Sequence, residues 1–148
     1  MRISAKGRYA LAAMVTLAQQ YDEGRFTTVI SISERTGISK KVLEQVFAQL
    51  KKNNLVSSSK GAQGGYLLAA EPDRISALDV LSTIEASIFE PTQATTEDSA
   101  PDIERTLQKS IFETLDKQIE ETLRGISIGD LSDTATRYRT ENAIMFYI

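Results

Sequence analysis

Two hydroxyl residues, Thr28 and Ser39, stand on either side of a Thr36-Gly37 break, and together they restrict residues 28–53 to two short helices joined by a tight turn. A hydroxyl placed just before a helix accepts from the free amides of the first turn, and glycine is a common terminator. Behind Thr28, Ile32 has neighbours at helical spacing over residues 29–36. Behind Ser39, Leu43, Val46, Phe47 and Leu50 fall at i, i+3, i+4 and i+7, which is one unbroken apolar face. Asn53-Asn54 is a fitting stop, because asparagine tolerates the left-handed conformation that follows helices. Two β-prone runs, 55–59 and 66–69, flank Lys60-Gly61-Ala62-Gln63-Gly64-Gly65 and predict a hairpin with a flexible tip. An earlier helix is expected over residues 6–21 from Ala10, Met14, Leu17, Ala18 and Tyr21, ended by Gly24. Three helices followed by a hairpin make a winged helix.

Beyond Pro72, Leu78, Leu81 and Ile84 predict a fourth helix over 76–85. Residues 90–102 are rich in Thr, Pro, Asp and Glu and poor in apolar side chains, so a mobile surface loop is expected there. A long helix then runs over roughly 102–123, with Ile103, Leu107, Ile111, Leu115, Ile119 and Leu123 four residues apart. Four residues overshoot one helical turn by about 40°, so this stripe should wind around the helix and touch different neighbours along its length. One end would pack on its own domain and the other on a second subunit. A small helix near 127–135 and an apolar terminus, Ala143-Ile144-Met145-Phe146-Tyr147-Ile148, complete the chain. The expected fold is mainly α with a small β-hairpin wing. It divides into a winged helix-turn-helix head over 1–85 (helix-turn-helix about 28–53, wing 55–69), a mobile loop over 86–101, and a helical dimerisation arm with its tail over 102–148.

Charge follows the same division. Residues 1–70 hold ten Lys/Arg against four Asp/Glu, a net +6, while the remainder holds seven against sixteen, a net −9. A basic head on an acidic arm suits a module that approaches phosphate joined to one that assembles. The 148 residues contain no cysteine and no histidine, which removes thiol nucleophiles, imidazole bases and nearly every transition-metal ligand set. The carboxylates form no recognisable paired motif, so an enzyme is not expected. No run approaches the ~20 apolar residues that span a bilayer, Met1-Arg2-Ile3-Ser4 lacks a signal-peptide core, and a cytoplasmic location is expected.

In a helix-turn-helix the second helix is the reader, its first exposed side chains reaching base edges in the major groove. By geometry these are Ser39, Lys40, Lys41, Glu44 and Gln45, opposite the Leu43/Val46/Phe47 face. Lysine meets phosphate or guanine, glutamine matches adenine, and glutamate accepts from cytosine. Lys51, and Lys60, Gly61, Gln63 and Gly64 of the wing, are further expected DNA contacts, with Arg2, Lys6 and Tyr9 adding phosphate contacts from the first helix. The Gly-rich wing is not a nucleotide-binding loop, since no Gly-Lys-Ser/Thr follows and it leads into a strand.

Four ordered blocks resemble the Rrf-two family of bacterial transcription regulators: Met1-Arg2-Ile3-Ser4-Ala5-Lys6-Gly7-Arg8-Tyr9-Ala10, Ile32-Ser33-Glu34-Arg35-Thr36-Gly37-Ile38-Ser39, Leu43-Glu44-Gln45, and Lys60-Gly61 through Gly64-Gly65-Tyr66. The resemblance covers residues 1 to about 90 and, more loosely, the long helix. It implies a homodimer reading a palindromic operator in double-stranded DNA, with the long helices crossing at the dimer interface through Ile103, Leu107, Ile111, Leu115, Ile119 and Leu123. Iron–sulfur members of the family carry three cysteines in the loop that corresponds to 90–102. Here there are none, so cluster-based sensing is not carried over and no cofactor or metal is expected. Many members have Arg where this chain has Lys60, which lacks the planar fork and should insert more weakly into a minor groove. The resemblance is strongest to the cluster-free branch that represses cysteine and sulfur metabolism, which also ends in a Met-Phe-Tyr-Ile tail, and it implies a cysteine synthase, CysK, as corepressor. In that reading Phe146, Tyr147 and the free carboxylate of Ile148 enter an enzyme pocket that normally receives a terminal isoleucine; in the other, Met145, Phe146 and Ile148 pack in the dimer core. A winged-helix module that binds only protein, and a cluster-free regulator of another pathway, stay open as alternatives.

Overall fold

In the computed structural model, which describes residues 2–147, every helix of the head starts on a hydroxyl. Ser4 accepts from the Gly7 amide ahead of α1 (Ala5–Ala18), Thr28 from Ser31 ahead of α2 (Val29–Thr36), and Ser39 from Val42 ahead of α3 (Lys40–Lys52). Ser76 and Asp79 cap each other's amides at the start of α4 (Ala77–Ile84). Each cap satisfies an amide that has no partner within its helix and is worth about 1 kcal/mol. The first helix stops at Ala18, not at Tyr21, because the chain tightens into a 3₁₀ turn, Tyr21–Glu23, closed by Gly24. Tyr21 still packs on the core, so the apolar spacing survives the change of helix type. Gly37, in the left-handed conformation at φ 75°, makes the turn between α2 and α3, and Asn54 takes φ 59° after α3.

The head is built around Ala10, Met14 and Leu17 of α1, Ile32 of α2, and Leu43, Val46, Phe47 and Leu50 of α3. Strands β1 (Val56–Ser59) and β2 (Gly65–Leu68) pair antiparallel, Ser58 opposite Tyr66, and close the core with Val56 and Leu68. One residue beyond the hairpin joins the sheet: Thr27 and Tyr66 exchange two backbone bonds of 2.8 Å. Gly65 makes that contact possible. Its φ is 140°, and a side chain there would run into the Thr27 backbone.

The long helix consists of α5 (Pro101–Leu107), a π-helical turn (Gln108–Phe112) and α6 (Glu113–Arg124). It opens one residue earlier than expected because Pro101 takes the first helical position, where its missing amide costs nothing. The π turn corrects the winding of the apolar stripe. In a pure α-helix six residues at four-residue spacing would fan across about 200°, and one wider turn holding an extra residue brings that to about half. Ile103, Leu107, Ile111 and Leu115 are exposed, between 36% and 54%, whereas Ile119 and Leu123 are half-buried against the head.

The segment expected as a small helix near 127–135 with an apolar terminus is instead one helix, α7 (Ile128–Phe146). Its start is fixed by a reciprocal Ser127–Asp130 cap, and Ile128 is fully buried in the head core. Its far end leaves Met145, Phe146 and Tyr147 at 73%, 92% and 94% exposure. Ile148 lies outside the described residues. Among the described residues no helix is long and apolar enough to cross a membrane.

Candidate nucleic-acid interface

The amphipathic face of α3 decides which of its side chains are available. Leu43, Val46 and Phe47 are fully buried, which turns Lys40, Lys41, Glu44 and Gln45 outward over the first turn and a half. The Ser39 hydroxyl is engaged with the Val42 amide at 3.3 Å, so its first duty is to hold the reader helix's N-terminus. Lys51 is exposed in the last turn of α3.

The wing is held to this helix through Tyr66, whose ring stacks on Phe47 with centroids 4.1 Å apart and planes 8° from parallel. Lys60, Gly61 and Gln63 are exposed at the tip. Gly64 is buried inside the turn, its amide bonded to the Gly61 carbonyl at 3.0 Å, so it shapes the wing and borders the recess behind it. Between wing and α2, Arg25, Phe26, Thr28 and Gln63 line an open recess of 520 Å³ that the sequence reading did not single out. The available signal was a basic residue between the Gly24 stop and the Thr28 cap.

Arg2, Lys6 and Tyr9 form a second set at the start of α1. Arg2 is exposed, Lys6 half-buried and Tyr9 37% exposed. Their backbone is anchored from α4: the Ser4 amide and hydroxyl both donate to Glu85 Oε1, at 2.7 and 2.5 Å.

The acidic loop is tied to α5 by a side chain that no sequence pattern marked. Glu104 is only 6% exposed, and its Oε2 accepts from the Thr95 amide (3.2 Å), the Thr96 amide (2.9 Å) and the Thr96 hydroxyl (2.7 Å). These bonds, the Thr96 hydroxyl foremost, favour the charged form over the opposing effect of burial and hold the carboxyl below its ordinary range. Gln108 Nε2 adds a bond to the Thr92 carbonyl at 3.3 Å.

A capped reader helix, a stacked wing and a basic outer surface are the parts of a DNA-binding head, and the sequence profile of the Rrf2 family, described as an iron-dependent transcriptional regulator, matches residues 3–134. The chain belongs to the Rrf2 family. It is 38% identical over 131 residues to the HTH-type transcriptional regulator IscR of Xenorhabdus nematophila, covering 88% of this chain and 79% of that protein. Among solved structures it is similar to CymR, the global cysteine regulator of B. subtilis, with a TM-score of 0.76 and 31% identity over 90% of this chain and 98% of CymR. It is similar also to IscR of T. potens, with a TM-score of 0.72 and 37% identity over 91% and 88% of the two chains. This Rrf2 protein is thus a relative of transcription regulators with a winged helix-turn-helix and a C-terminal helix.

The 148 residues offer no thiolate and no imidazole, and among the described residues no three carboxylates converge on a point that could hold a metal ion. Glu104 is committed to Thr95 and Thr96 of the acidic loop. The side chains of this chain do not fit an iron–sulfur cluster.

Proposed function

We propose that this Rrf2 protein is a homodimeric, sequence-specific DNA-binding regulator that works without an iron–sulfur cluster and represses genes of cysteine and sulfur metabolism. The observation that carries the DNA reading is the outward presentation of Lys40, Lys41, Glu44 and Gln45 on a helix whose opposite face is fully buried and braced by the wing. Such a reader is rigid and reaches about one half-site of major groove, and two of them in a dimer read a palindromic operator.

Dimerisation is supported by the apolar side chains left open on the arm. Ile103, Leu107, Ile111 and Leu115 lie along one helix and stay 36–54% exposed among the described residues, and an exposed apolar stripe of this length marks an interaction surface. A second copy placing the same stripe against it is the isologous solution for a homo-oligomer.

The cysteine assignment is supported by the similarity to CymR over 90% of this chain, and the cluster-free part of the reading by the absence of cysteine. In this reading a cysteine synthase, CysK, is the corepressor, received by the exposed end of α7 at Phe146 and Tyr147, with Ile148 beyond. The 37–38% identity to IscR favours a second reading, a cluster-free regulator of another pathway.

A binding selection on fragments of the source genome, with and without the organism's own cysteine synthase, tests the proposal. Enrichment of a palindrome upstream of sulfur genes, sharpened by the synthase, is the expected result. A palindrome elsewhere that ignores the synthase would give the second reading, and no enriched duplex would overturn DNA binding.

A further inference from the structure

The start of α1 is pinned by a residue 81 positions away. Glu85 follows α4, whose Val80 and Leu81 are buried, and its own amide is bonded to the Leu81 carbonyl at 2.7 Å. From that fixed backbone one carboxylate oxygen, Oε1, accepts from the Ser4 amide (2.7 Å) and the Ser4 hydroxyl (2.5 Å), and the Ser4 oxygen accepts in turn from the Gly7 amide (3.1 Å). The carboxylate thus occupies the positive end of α1, where a free anion would otherwise bind. Gly7 makes the room for it. This residue is buried at the third position of α1, where a glycine costs the helix about 1 kcal/mol relative to alanine, and a β-carbon there would run into Glu85 Oε1 and Cδ. The surface beside this junction is basic: exposed Arg2 and Arg8 border one recess of 540 Å³ with Ser4, and Lys6 follows two residues after it.

We propose that Glu85 is a positioning residue for DNA binding, which together with Gly7 locks the first turn of α1 so that Arg2 and Lys6 meet the phosphate backbone already in place. Residues 2–4 belong to no helix or strand, and a first turn without such an anchor frays. A frayed segment would have to be ordered on binding, and that cost is subtracted from affinity. Because the amides of this helix start face a carboxylate, phosphate is left to the side chains on either side of Ser4. Phosphate contacts carry no sequence information, so Glu85 acts on affinity and salt dependence and leaves base choice to α3. This inference rests on the DNA reading proposed above.

The test uses the full chain, the duplex that the unaltered protein enriches best from a random library, and the single-base variants of that duplex, at a temperature well below the melting point of every variant. Glu85→Ala and Glu85→Gln lose the same negative charge, but the glutamine oxygen still accepts from Ser4, so the difference between them reads the hydrogen bonds alone. The expected result is that Glu85→Ala binds every duplex about tenfold more weakly than Glu85→Gln, with a salt slope smaller by about one and the same ranking of bases. In a protein that also carries Arg2→Ala and Lys6→Ala, the two should bind alike. Gly7→Ala, a change that favours a helix in itself, should weaken binding in the same way with Glu85 intact and have no further effect once Glu85 is alanine. Equal binding by Glu85→Ala and Glu85→Gln, a loss that persists without Arg2 and Lys6, a loss confined to one base position, or a Gly7→Ala protein of full affinity would each overturn the proposal. A library from which the unaltered chain enriches nothing would instead overturn the DNA reading on which it stands.

Discussion

Helix α3 and the long helix α5–α6 are alike in carrying aliphatic side chains at helical intervals, yet those side chains end in opposite surroundings. Leu43, Val46, Phe47 and Leu50 are fully buried, while Ile103, Ile111 and Leu115 are 44–54% exposed. The head core is therefore closed over α3, by α1, α2, the hairpin and Val80 of α4 together with Ile128 from the start of α7. The arm keeps an apolar stripe open to solvent, the surface on which the proposed dimer rests. Its surface ion pairs, Lys109–Glu113 and Arg124–Glu120, are exposed i,i+4 pairs of the kind that add a few tenths of a kcal/mol to a helix and leave its apolar side unattended. Apolar periodicity alone forecasts both helices; only burial separates the one that supports its own domain from the one that seeks another.

The largest effect should come from the head. Phe47→Ala removes a fully buried ring and the stack on Tyr66, and should lower unfolding free energy by about 3–5 kcal/mol in urea titration. A cost under about 1 kcal/mol would mean that the buried ring is not what holds the head core together. Next, Ile111→Asp combined with Leu115→Asp should yield monomers by sedimentation, with the urea midpoint of the head retained and operator affinity down about 100-fold, or roughly 2.7 kcal/mol. A double variant that still sediments as a dimer would break the comparison. Within the reader, Gln45→Ala should cost about 1–3 kcal/mol at one base position, measured by competition among single-base variants of the operator. Lys41→Ala should weaken all sequences alike and reduce the salt slope by about one.

The smallest effect belongs to the loop. Because hydrogen bonds lower the Glu104 carboxyl in the folded protein, the stability it supplies is fully present above its unfolded range and disappears as pH falls through the folded value. The 92–100 segment should hold its amide protection at neutral pH and lose it in acid. Glu104→Gln, which turns an acceptor into a partial donor against Thr95 and Thr96, should reproduce the acid behaviour at neutral pH by hydrogen exchange. Unaltered protection in that variant would remove Glu104 as the fastening.

Much of this was legible in the sequence where the cause is local. Thr28 and Ser39 announce their helices because a cap acts within four residues, and the α3 face is visible because one period runs through all of it. What escaped depends on distance or on silence. Residues 136–142 are almost wholly polar, so α7 past Ala135 has no apolar period to betray it, and capping with intrinsic propensity carries it to Phe146. Glu104 is one acid among many in an acidic half, distinguished only by Thr95 and Thr96 folding back onto it. Tyr66 read as an ordinary strand aromatic, since its neighbours Thr27 and Phe47 lie 39 and 19 positions away in the chain.

The π turn at Gln108–Phe112 has an implication for how the arm tolerates change. A bulge of this kind stores one surplus residue without disturbing the phase of the helix on either side. Deleting the exposed Ser110 would let the segment relax to plain α-helix while α6 keeps its bearing relative to α5, since the deletion removes the same roughly 100° that the bulge absorbs. A deletion, ordinarily the harshest lesion a helix can suffer, would here leave the seam aligned, whereas the same deletion one turn into α6 would swing Ile119 and Leu123 off their neighbours.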